Sequence, residues 1–511
     1  MMCRVHRQVR ARFVVALLAG PVILAPAQVL AAQRSEGVSE VALRASVPAE
    51  WLTTGRDYAE THYSPLDRID VDNIERLGLA WSWIIPKSGA RLEATPVVSD
   101  GVMYATGPKS FVFALDARTG EKKWQWDPAI PDEREGGPSI CCGDVNRGVA
   151  LYGDNVFVGL LDGRLVALDR ETGLVRWTVQ TTPRGADYSV TGAPRVVKGN
   201  VIIGNGGAEY GVRGYVTAYD VETGDQVWRS YTVPGNPADG FENDAMAMAA
   251  ETWTGEWWRH GGGGNAWHGF TYDAELDQLY IGTGNGSPWN RKIRSPDGGD
   301  NLFLCSIVAL DPDTGEYIWH YQTVPGDTWD YNSNMDIVLT DLEIDGRERQ
   351  VMLHAPKNGF FYVIDRATGE VLSAEKFVET TWASSIDLET GRPVEVPGSR
   401  YEDGIAMVTP SPLGGHNWHA MSFNPEAGLA FYPAIHLNRS WDDSGIDLET
   451  FQAEQWTGGT GVGGGLGGAS PREDGLLSSL QAWDPVRKEI AWEVPLPGLY
   501  NPGTVTTAGN L

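Results

Sequence analysis

The decapeptide "LDPDTGEYIW" at residues 310–319 recurs, with variations, along this chain of 511 residues. The other copies are "LDARTGEKKW" (115–124), "LDRETGLVRW" (168–177) and "YDVETGDQVW" (219–228), with weaker ones at "IDRATGEVLS" (364–373) and "WDPVRKEIAW" (483–492). Apolar residues lead into each copy, and Asp and Gly suit a tight turn because glycine adopts a positive φ at little cost. In most copies a Trp follows at a fixed offset. Each copy therefore predicts a strand, a turn and a second strand.

The turn glycines recur at intervals of about 50 residues. Gly120, Gly173 and Gly224 are spaced by 53 and 51 residues, and Gly315 and Gly369 by 54. Alternating apolar runs fill the intervals, and long stretches of helical periodicity are absent. A period near 50 built from short strands predicts an all-β β-propeller, with roughly four strands in each blade. An open all-β solenoid or a sandwich is the alternative. The repeated Trp is interpreted as packing between blades.

Composition limits the classes of partner. Hydrophobic residues make up 42% of the chain and charged residues 21%, which is enough for a large core or for two or three ordinary domains. The formal net charge is −27 and the pI is about 4.7. Nucleic acid is therefore not an expected partner, because binding phosphates requires a basic face.

The first 32 residues have the pattern of a secretory signal. Four arginines precede the apolar run "FVVALLAGPVILAPAQVLAA" (13–32), which ends in small residues. We expect residues 1–32 to be a signal peptide, residues 33–511 to be the propeller domain, and the protein to be periplasmic. An uncleaved membrane anchor is the alternative, although prolines weaken a spanning helix. Disulfides persist in an oxidising compartment of this kind.

Glycine-rich insertions interrupt the repeats and carry polar residues that a repeat does not require. They are "SICCGDVNRG" (139–148), "GNGGAEYGVRG" (204–214), "GGGGNAWHGF" (261–270), "GTGNGSPWN" (282–290) and "TVPGDTWDYNSN" (323–334). Glu209, Asn285 and Asp330 are hard oxygen ligands that suit calcium better than zinc. Each could instead cap a turn. The adjacent Cys141 and Cys142 could bind a metal, pack in the core or bond to each other.

Taken together, these motifs resemble the pyrroloquinoline quinone (PQQ)-dependent alcohol dehydrogenases, the methanol/ethanol dehydrogenase family of eight-bladed propellers. The similarity runs from about residue 51 to the last residue of the chain. It is carried by the adjacent cysteines with an Arg five residues on, and by "GNGGAEYGVRGYVTAYD" (204–220), "YIGTGNGSPWN" (280–290), "PGDTWDY" (325–331) and "APKNGFFYVIDR" (355–366), in the family's order.

The resemblance implies a role for individual residues. Cys141 and Cys142 would form a disulfide lying against one face of the quinone, and Trp267 would stack on the other face. Calcium would be bound by Glu209, Asn285 and Asp330, and Asp330 would also be the catalytic base. The other implied cofactor contacts are Glu93, Arg147, Thr191, Gly207, Ala208, Lys357, Asn417 and Trp418.

The implied activity is oxidation of an alcohol, by default a primary one, to the aldehyde by hydride transfer to PQQ. Calcium would act as a Lewis acid, and a cytochrome c-type acceptor would take the electrons. Asn332 stands where the lanthanide-using branch of the family has a second Asp, which predicts calcium. Asn265 and His268 depart from the family pattern, which usually has Thr at the first position and Asp or Asn at the second.

The family continues beyond the motif that ends this chain, "TVTTAGNL" (504–511), into a closing blade. We therefore expect an incomplete last blade and a domain truncated at its C-terminus. No C-x-x-C-H motif occurs, so no c-type haem is expected in this chain. A non-catalytic propeller scaffold of the cell envelope, or an inactive fragment, is the alternative function.

Overall fold

The computed structural model describes residues 37–45, 47–87, 92–131, 137–451, 458–460 and 469–511. The predicted signal peptide, residues 1–32, lies outside this part of the chain. No helix in the described ranges is both long enough and apolar enough to cross a bilayer.

Six four-stranded antiparallel sheets, which we call blades A to F, dominate the described residues. Strand β1 (Tyr63–Ser64) precedes them. Blade A contains β2 (Val97–Ser99), β3 (Val102–Gly107), β4 (Phe111–Asp116) and β5 (Lys122–Trp126). Blade B contains β6 (Ala150–Tyr152), β7 (Asn155–Gly159), β8 (Arg164–Asp169) and β9 (Val175–Gln180). Blade C contains β10 (Arg195–Val197), β11 (Asn200–Gly204), β12 (Tyr215–Asp220) and β13 (Gln226–Tyr231).

The later blades are separated by shorter sheets. Blade D contains β15 (Phe270–Asp273), β16 (Gln278–Gly282), β18 (Ser306–Leu310) and β19 (Tyr317–Gln322). A separate pair is formed by β14 (Gly262–Gly263), which precedes this blade, and β17 (Gly286–Ser287), which lies between β16 and β18 along the chain. Blade E contains β20 (Ile337–Ile344), β21 (Arg347–His354), β22 (Phe360–Asp365) and β23 (Val371–Lys376), and a hairpin of β24 (Ala383–Asp387) and β25 (Arg392–Glu395) follows. Blade F contains β27 (Ser422–Asn424), β28 (Leu429–Ile435), β31 (Ser478–Asp484) and β32 (Glu489–Leu496).

The remaining elements are short. A three-stranded sheet contains β26 (Ala406–Val408), β29 (Leu437–Trp441) and β30 (Ala469–Pro471), and β33 (Thr506–Thr507) is the last strand. The α-helices are α1 (Glu40–Ala45), α2 (Asp244–Ala250) and α3 (Arg291–Arg294). Single 3₁₀ turns span Ile74–Arg76, Pro108–Ser110, Ala208–Tyr210, Pro237–Asp239 and Trp257–His260.

The repeated Trp packs between blades, as the sequence predicts. The Trp124 indole of blade A lies so close to Gly173 of blade B that a methyl group there would be 2.6 Å from the ring. Its N–H donates to the Arg170 carbonyl at 2.8 Å. The same two contacts join Trp177 to Gly224 and Val221, and Trp228 to Gly315 and Pro312. The turn glycine is therefore required both for its positive φ and for the indole that covers it.

The segment of residues 51–64 connects the blades to one another. Its backbone exchanges hydrogen bonds with Val98 of blade A, and its carbonyls accept hydrogen bonds from the N–H groups of Leu339 in blade E and Phe423 in blade F. Strand β1 in this segment pairs in parallel with β33. The part of the chain that the structure describes thus has six four-stranded blades, and the blade count of eight and the incomplete last blade stay predictions.

Candidate functional site

The loops between strands enclose a cavity of about 520 Å³. This volume is in the usual range for small-molecule sites. Every residue for which the sequence predicts a site role lines it, although these residues come from loops of all six blades. They are Glu93, Cys141, Cys142, Arg147, Thr191, Gly207, Ala208, Glu209, Trp267, Asn285, Asp330, Lys357, Asn417 and Trp418.

The adjacent cysteines are bonded to each other. Cys141 and Cys142 form a disulfide in the loop between β5 and β6, which settles the three alternatives that the sequence leaves open. Cys305 is free and buried, and its Sγ lies 2.7 Å from the Tyr331 carbonyl oxygen. A thiol in that position packs within the fold, whereas the disulfide forms part of the cavity wall.

The buried, positively charged side chain of Arg147 lies on one side of the cavity. The guanidinium of Arg147 pairs with Glu93 at 2.7 Å and donates to Thr191 Oγ1 at 2.9 Å. It also lies 4.8 Å from the ring centre of Trp267, a favourable cation–π distance. Burial lowers the pKa of Arg147, and the Glu93 carboxylate opposes that shift. These contacts hold the Arg147 side chain in place. Its Nε has no hydrogen-bond partner among the described residues.

The buried side chain of Asn265 indicates that the cavity is shaped for a ligand. Its backbone carbonyl accepts hydrogen bonds from Gly284 N at 3.0 Å and Asn334 Nδ2 at 3.1 Å. Its side chain is 1% exposed, and neither amide atom has a partner within the described ranges. Leaving a buried polar group unpaired costs about 1–3 kcal/mol. A ligand with both acceptors and donors on its rim would satisfy this amide.

Asp330 is the carboxylate at the centre of the site. It lies in the loop between β19 and β20 with φ of +62°, a backbone conformation that is sparsely populated outside glycine. Its Oδ2 lies 3.3 Å from Nζ of Lys357, which also donates to the Asp330 carbonyl at 3.0 Å. Burial raises the pKa of Asp330 to about 7, against the opposing effect of Lys357. A carboxyl group that titrates near neutrality can take up and release a proton at working pH.

Three hard oxygen donors share the cavity. Glu209, Asn285 and Asp330 all line it, and the nearby Asn285 amide favours the ionised form of the Glu209 carboxyl group. Burial raises the pKa of the Glu209 carboxyl group. No cluster of three His, Cys, Asp or Glu side chains suited to a metal occurs among the described residues. The site instead offers two carboxylates and one amide, a donor set that suits a hard cation such as calcium.

The loop before Glu209 requires glycine. Gly207 has φ of +114°, and a methyl group there would lie 2.4 Å from the Asp187 carbonyl oxygen. The loop therefore takes a path that another residue would disrupt.

Sequence reasoning missed several residues that line the cavity. Arg439 on β29 is 2% exposed and stacks 5.1 Å from the Trp441 ring. Trp289, Leu413 and Tyr500 add apolar surface. Arg439, Leu413 and Tyr500 lie outside the repeats and the glycine-rich motifs, so the sequence carries no signal for them. Trp289 lies in the glycine-rich stretch 282–290, which predicts a loop at the site but no role for this side chain. Asn332 also lines the cavity, although sequence reasoning treated that position only as an indicator of metal type.

Known proteins are similar to this chain in sequence and in architecture. Residues 51–381 match the family model for the PQQ "glucose/ethanol/alcohol dehydrogenase, beta-propeller domain". Quinohemoprotein alcohol dehydrogenase ADH IIB of Pseudomonas putida is 52% identical over 93% of this chain and 68% of that protein. The 1-butanol dehydrogenase (cytochrome c) of Thauera butanivorans is 46% identical over 90% of this chain and 67% of that protein.

A solved structure is similar to this chain in its fold as well as in its sequence. The quinohemoprotein alcohol dehydrogenase of Comamonas testosteroni superposes with a TM-score of 0.85 and 49% identity, covering 91% of this chain and 69% of that one. Our chain thus spans about two thirds of the length of these relatives. The propeller repeats, the vicinal disulfide and the matches over most of its length show that the chain belongs to the PQQ-dependent alcohol dehydrogenases.

Proposed function

We propose that this protein oxidises a primary alcohol to the aldehyde, with Asp330 as the base and calcium beside the quinone. The observation that carries the proposal is the buried pair of Asp330 and Lys357, which lies in one cavity with the vicinal disulfide, Trp267 and three hard oxygen donors. A non-catalytic scaffold would have no need for a carboxyl group buried beside an ammonium group in this setting.

The cofactor would be held by walls and by charges. The disulfide of Cys141 and Cys142 and the indole of Trp267 would contact the faces of the planar ring. Arg147 and Thr191 would bind its carboxylates, with Glu93 supporting Arg147. The backbone at Gly207 and Ala208, together with Asn417 and Trp418, would complete the enclosure. The unpaired amide of Asn265 fits a ligand of this kind, because PQQ presents carbonyl and carboxylate oxygens as well as a ring N–H.

Calcium would be bound by Glu209, Asn285 and Asp330. When bound, PQQ and calcium would supply a hydride acceptor and a Lewis acid. The protein's part is then to position the alcohol and move its proton. Asp330 would accept the proton from the substrate hydroxyl, and Lys357 would stabilise negative charge that develops beside it. The apolar cavity walls would exclude water and receive the carbon chain of the alcohol.

The electrons would pass to a cytochrome c-type acceptor. One relative carries that acceptor in its name, and a net charge of −27 favours encounters with a basic partner. We further propose that residues 1–32 direct export to the periplasm and that residues 33–511 form the propeller domain. An oxidising compartment would preserve the vicinal disulfide.

Reconstitution tests this proposal. The purified chain is mixed with PQQ and calcium chloride, and dye reduction is followed with ethanol and 1-butanol as substrates. We expect turnover that requires both additions, and binding of PQQ measured separately by equilibrium dialysis. A chain that binds PQQ but turns over no alcohol would be an inactive fragment. A chain that binds neither PQQ nor calcium would favour the scaffold function.

A further inference from the structure

Asn332 connects groups that the proposed reaction would use separately. It lies two residues after Asp330 in the loop between β19 and β20, and it is 1% exposed. We propose that Asn332 is a positioning residue, which holds the Trp267 indole and the Asp330 carboxylate in a fixed arrangement. This inference rests on the proposed function of the site.

The two ends of the Asn332 amide make different contacts. Its Oδ1 accepts a hydrogen bond from Trp267 Nε1 at 3.1 Å and a longer one from the backbone N–H of Asn285 at 3.3 Å. Its Nδ2 donates to the Asp330 carbonyl at 2.9 Å and to Asp330 Oδ1 at 3.3 Å. The donors and acceptors of the side chain are therefore all engaged, which fixes its orientation.

An amide is suited to this place for a chemical reason. One end must accept from an indole N–H while the other end donates to a carboxylate. An ionised Asp has acceptors alone, and a hydroxyl group is too short to span both sites. Because Oδ1 already accepts two N–H groups, Asn332 serves as a link between protein groups.

The surrounding backbone is close enough to keep the link in place. A methyl group on Gly284 would lie 2.7 Å from Asn332 Oδ1, so a larger residue there would displace the amide. The neighbouring Asn334 has a different task, because its Nδ2 donates to the backbone carbonyls of Gly282 at 2.7 Å and Asn265 at 3.1 Å. Asn334 holds the loops together, whereas Asn332 contacts the side chains of the site.

Asn332 and Lys357 contact different oxygens of the Asp330 carboxylate. Asn332 donates to Oδ1 of Asp330, and Lys357 lies beside Oδ2. Each carboxylate oxygen thus has its own neighbour, and rotation of the carboxylate would break both contacts. On the other side, the indole that would stack on the quinone is fixed by its N–H. Loss of Asn332 should therefore weaken quinone binding and turnover together.

A double-mutant cycle tests the inference. PQQ affinity of the full-length protein is measured by equilibrium dialysis for Asn332→Leu, for Trp267→Phe, which keeps an aromatic ring but lacks the N–H, and for the double variant. We expect Asn332→Leu to bind PQQ about tenfold more weakly, and kcat/KM to fall by at least as much. If Asn332 acts through the indole, the double variant should be no worse than Asn332→Leu by more than about twofold.

Asn424→Leu is the matched control. Asn424 is a buried asparagine of blade F that does not line the cavity, so its loss should lower the melting temperature and leave PQQ affinity unchanged. If Asn332→Leu does not fold, Asn332→Ser replaces it in the cycle. PQQ affinity unchanged by either Asn332 variant, or fully additive losses in the cycle, would overturn the inference alone. Failure of the unaltered protein to bind PQQ would overturn the proposed function as well.

Discussion

The Nζ atom of Lys357 lies 3.3 Å from Oδ2 of Asp330, and both side chains are buried in the cavity wall. The pair brings an ammonium group and a carboxyl group with a pKa of about 7 together at the site where the alcohol would react. Its closeness leads to the first two predictions.

Asp330→Asn should keep PQQ binding and lose most turnover. The amide occupies the same volume and retains an oxygen for contacts, but it cannot accept the substrate proton. We expect kcat to fall by about 10²–10⁴-fold, as is typical for loss of a general base. Steady-state dye reduction measures turnover, and equilibrium dialysis measures PQQ binding. Turnover equal to that of the unaltered protein would remove Asp330 as the base.

Lys357→Met should lower kcat by about 10²-fold, because a charge that stabilises developing negative charge would be lost. The melting temperature should fall as well, because the methionine leaves the buried Asp330 carboxyl group without its ammonium partner. Lys198→Met is the control, because Lys198 pairs with Asp277 and Asp313 on the surface. An equal loss of kcat in both variants would contradict a specific role for Lys357.

The Cys141→Ser/Cys142→Ser double variant should bind PQQ roughly tenfold more weakly, because it lacks the disulfide that forms part of the cavity wall. Mild reduction of the unaltered protein should have the same effect. Cys305→Ser provides the control, since Cys305 is a buried free thiol and does not line the cavity. Indifference of quinone-dependent turnover to reductant would count against this role for the disulfide.

Removal of divalent ions with a chelator should abolish turnover, and added calcium should restore it. Two carboxylates and one amide form a donor set that suits calcium, and Asn332 adds no further negative charge. Activity measured after readdition of calcium, magnesium or lanthanum distinguishes the metals. If lanthanum restored turnover and calcium did not, the prediction that calcium is the metal of this site would be wrong.

Acid should destabilise the fold through buried histidines. Burial lowers the pKa of His354 to about 4, from an ordinary value of 6.5. Between these pH values the unfolded chain binds a proton that the folded chain does not, so the free energy of unfolding falls as pH falls from 6.5 to 4. The effect of this one residue is about 3 kcal/mol at most.

The melting temperature measured from pH 4 to pH 8 checks the prediction. His354 Nδ1 lies 3.0 Å from the Asp336 carbonyl oxygen, and His354→Asn keeps a donor there without a titrating group. The variant should show a shallower loss of stability below pH 6.5. A profile identical to that of the unaltered protein would exclude His354 as a contributor.

The propeller architecture could be predicted from short local motifs in the sequence. The Asp-x-x-Thr-Gly turn forms from hydrogen bonds within five residues: Asp169 Oδ1 accepts from Glu171 N, Thr172 N and Thr172 Oγ1. Such a turn can be recognised wherever it recurs, and its period predicts blades. Most of the site residues were implied instead by the resemblance to a known family, and the structure brings all of them to one cavity. Their roles toward PQQ and calcium stay proposals.

The sequence by itself determined the repeated strands, the turns between them and the glycine-rich loops, because each depends on neighbours along the chain. The tertiary structure alone decided which side chains meet. Trp267 and Asn332 are 65 residues apart, and their hydrogen bond exists because two loops are brought together by the packing of separate blades. The burial that raises the pKa of Asp330 likewise comes from all the elements that surround it. No local pattern specifies a contact that depends on how the whole chain closes around a cavity.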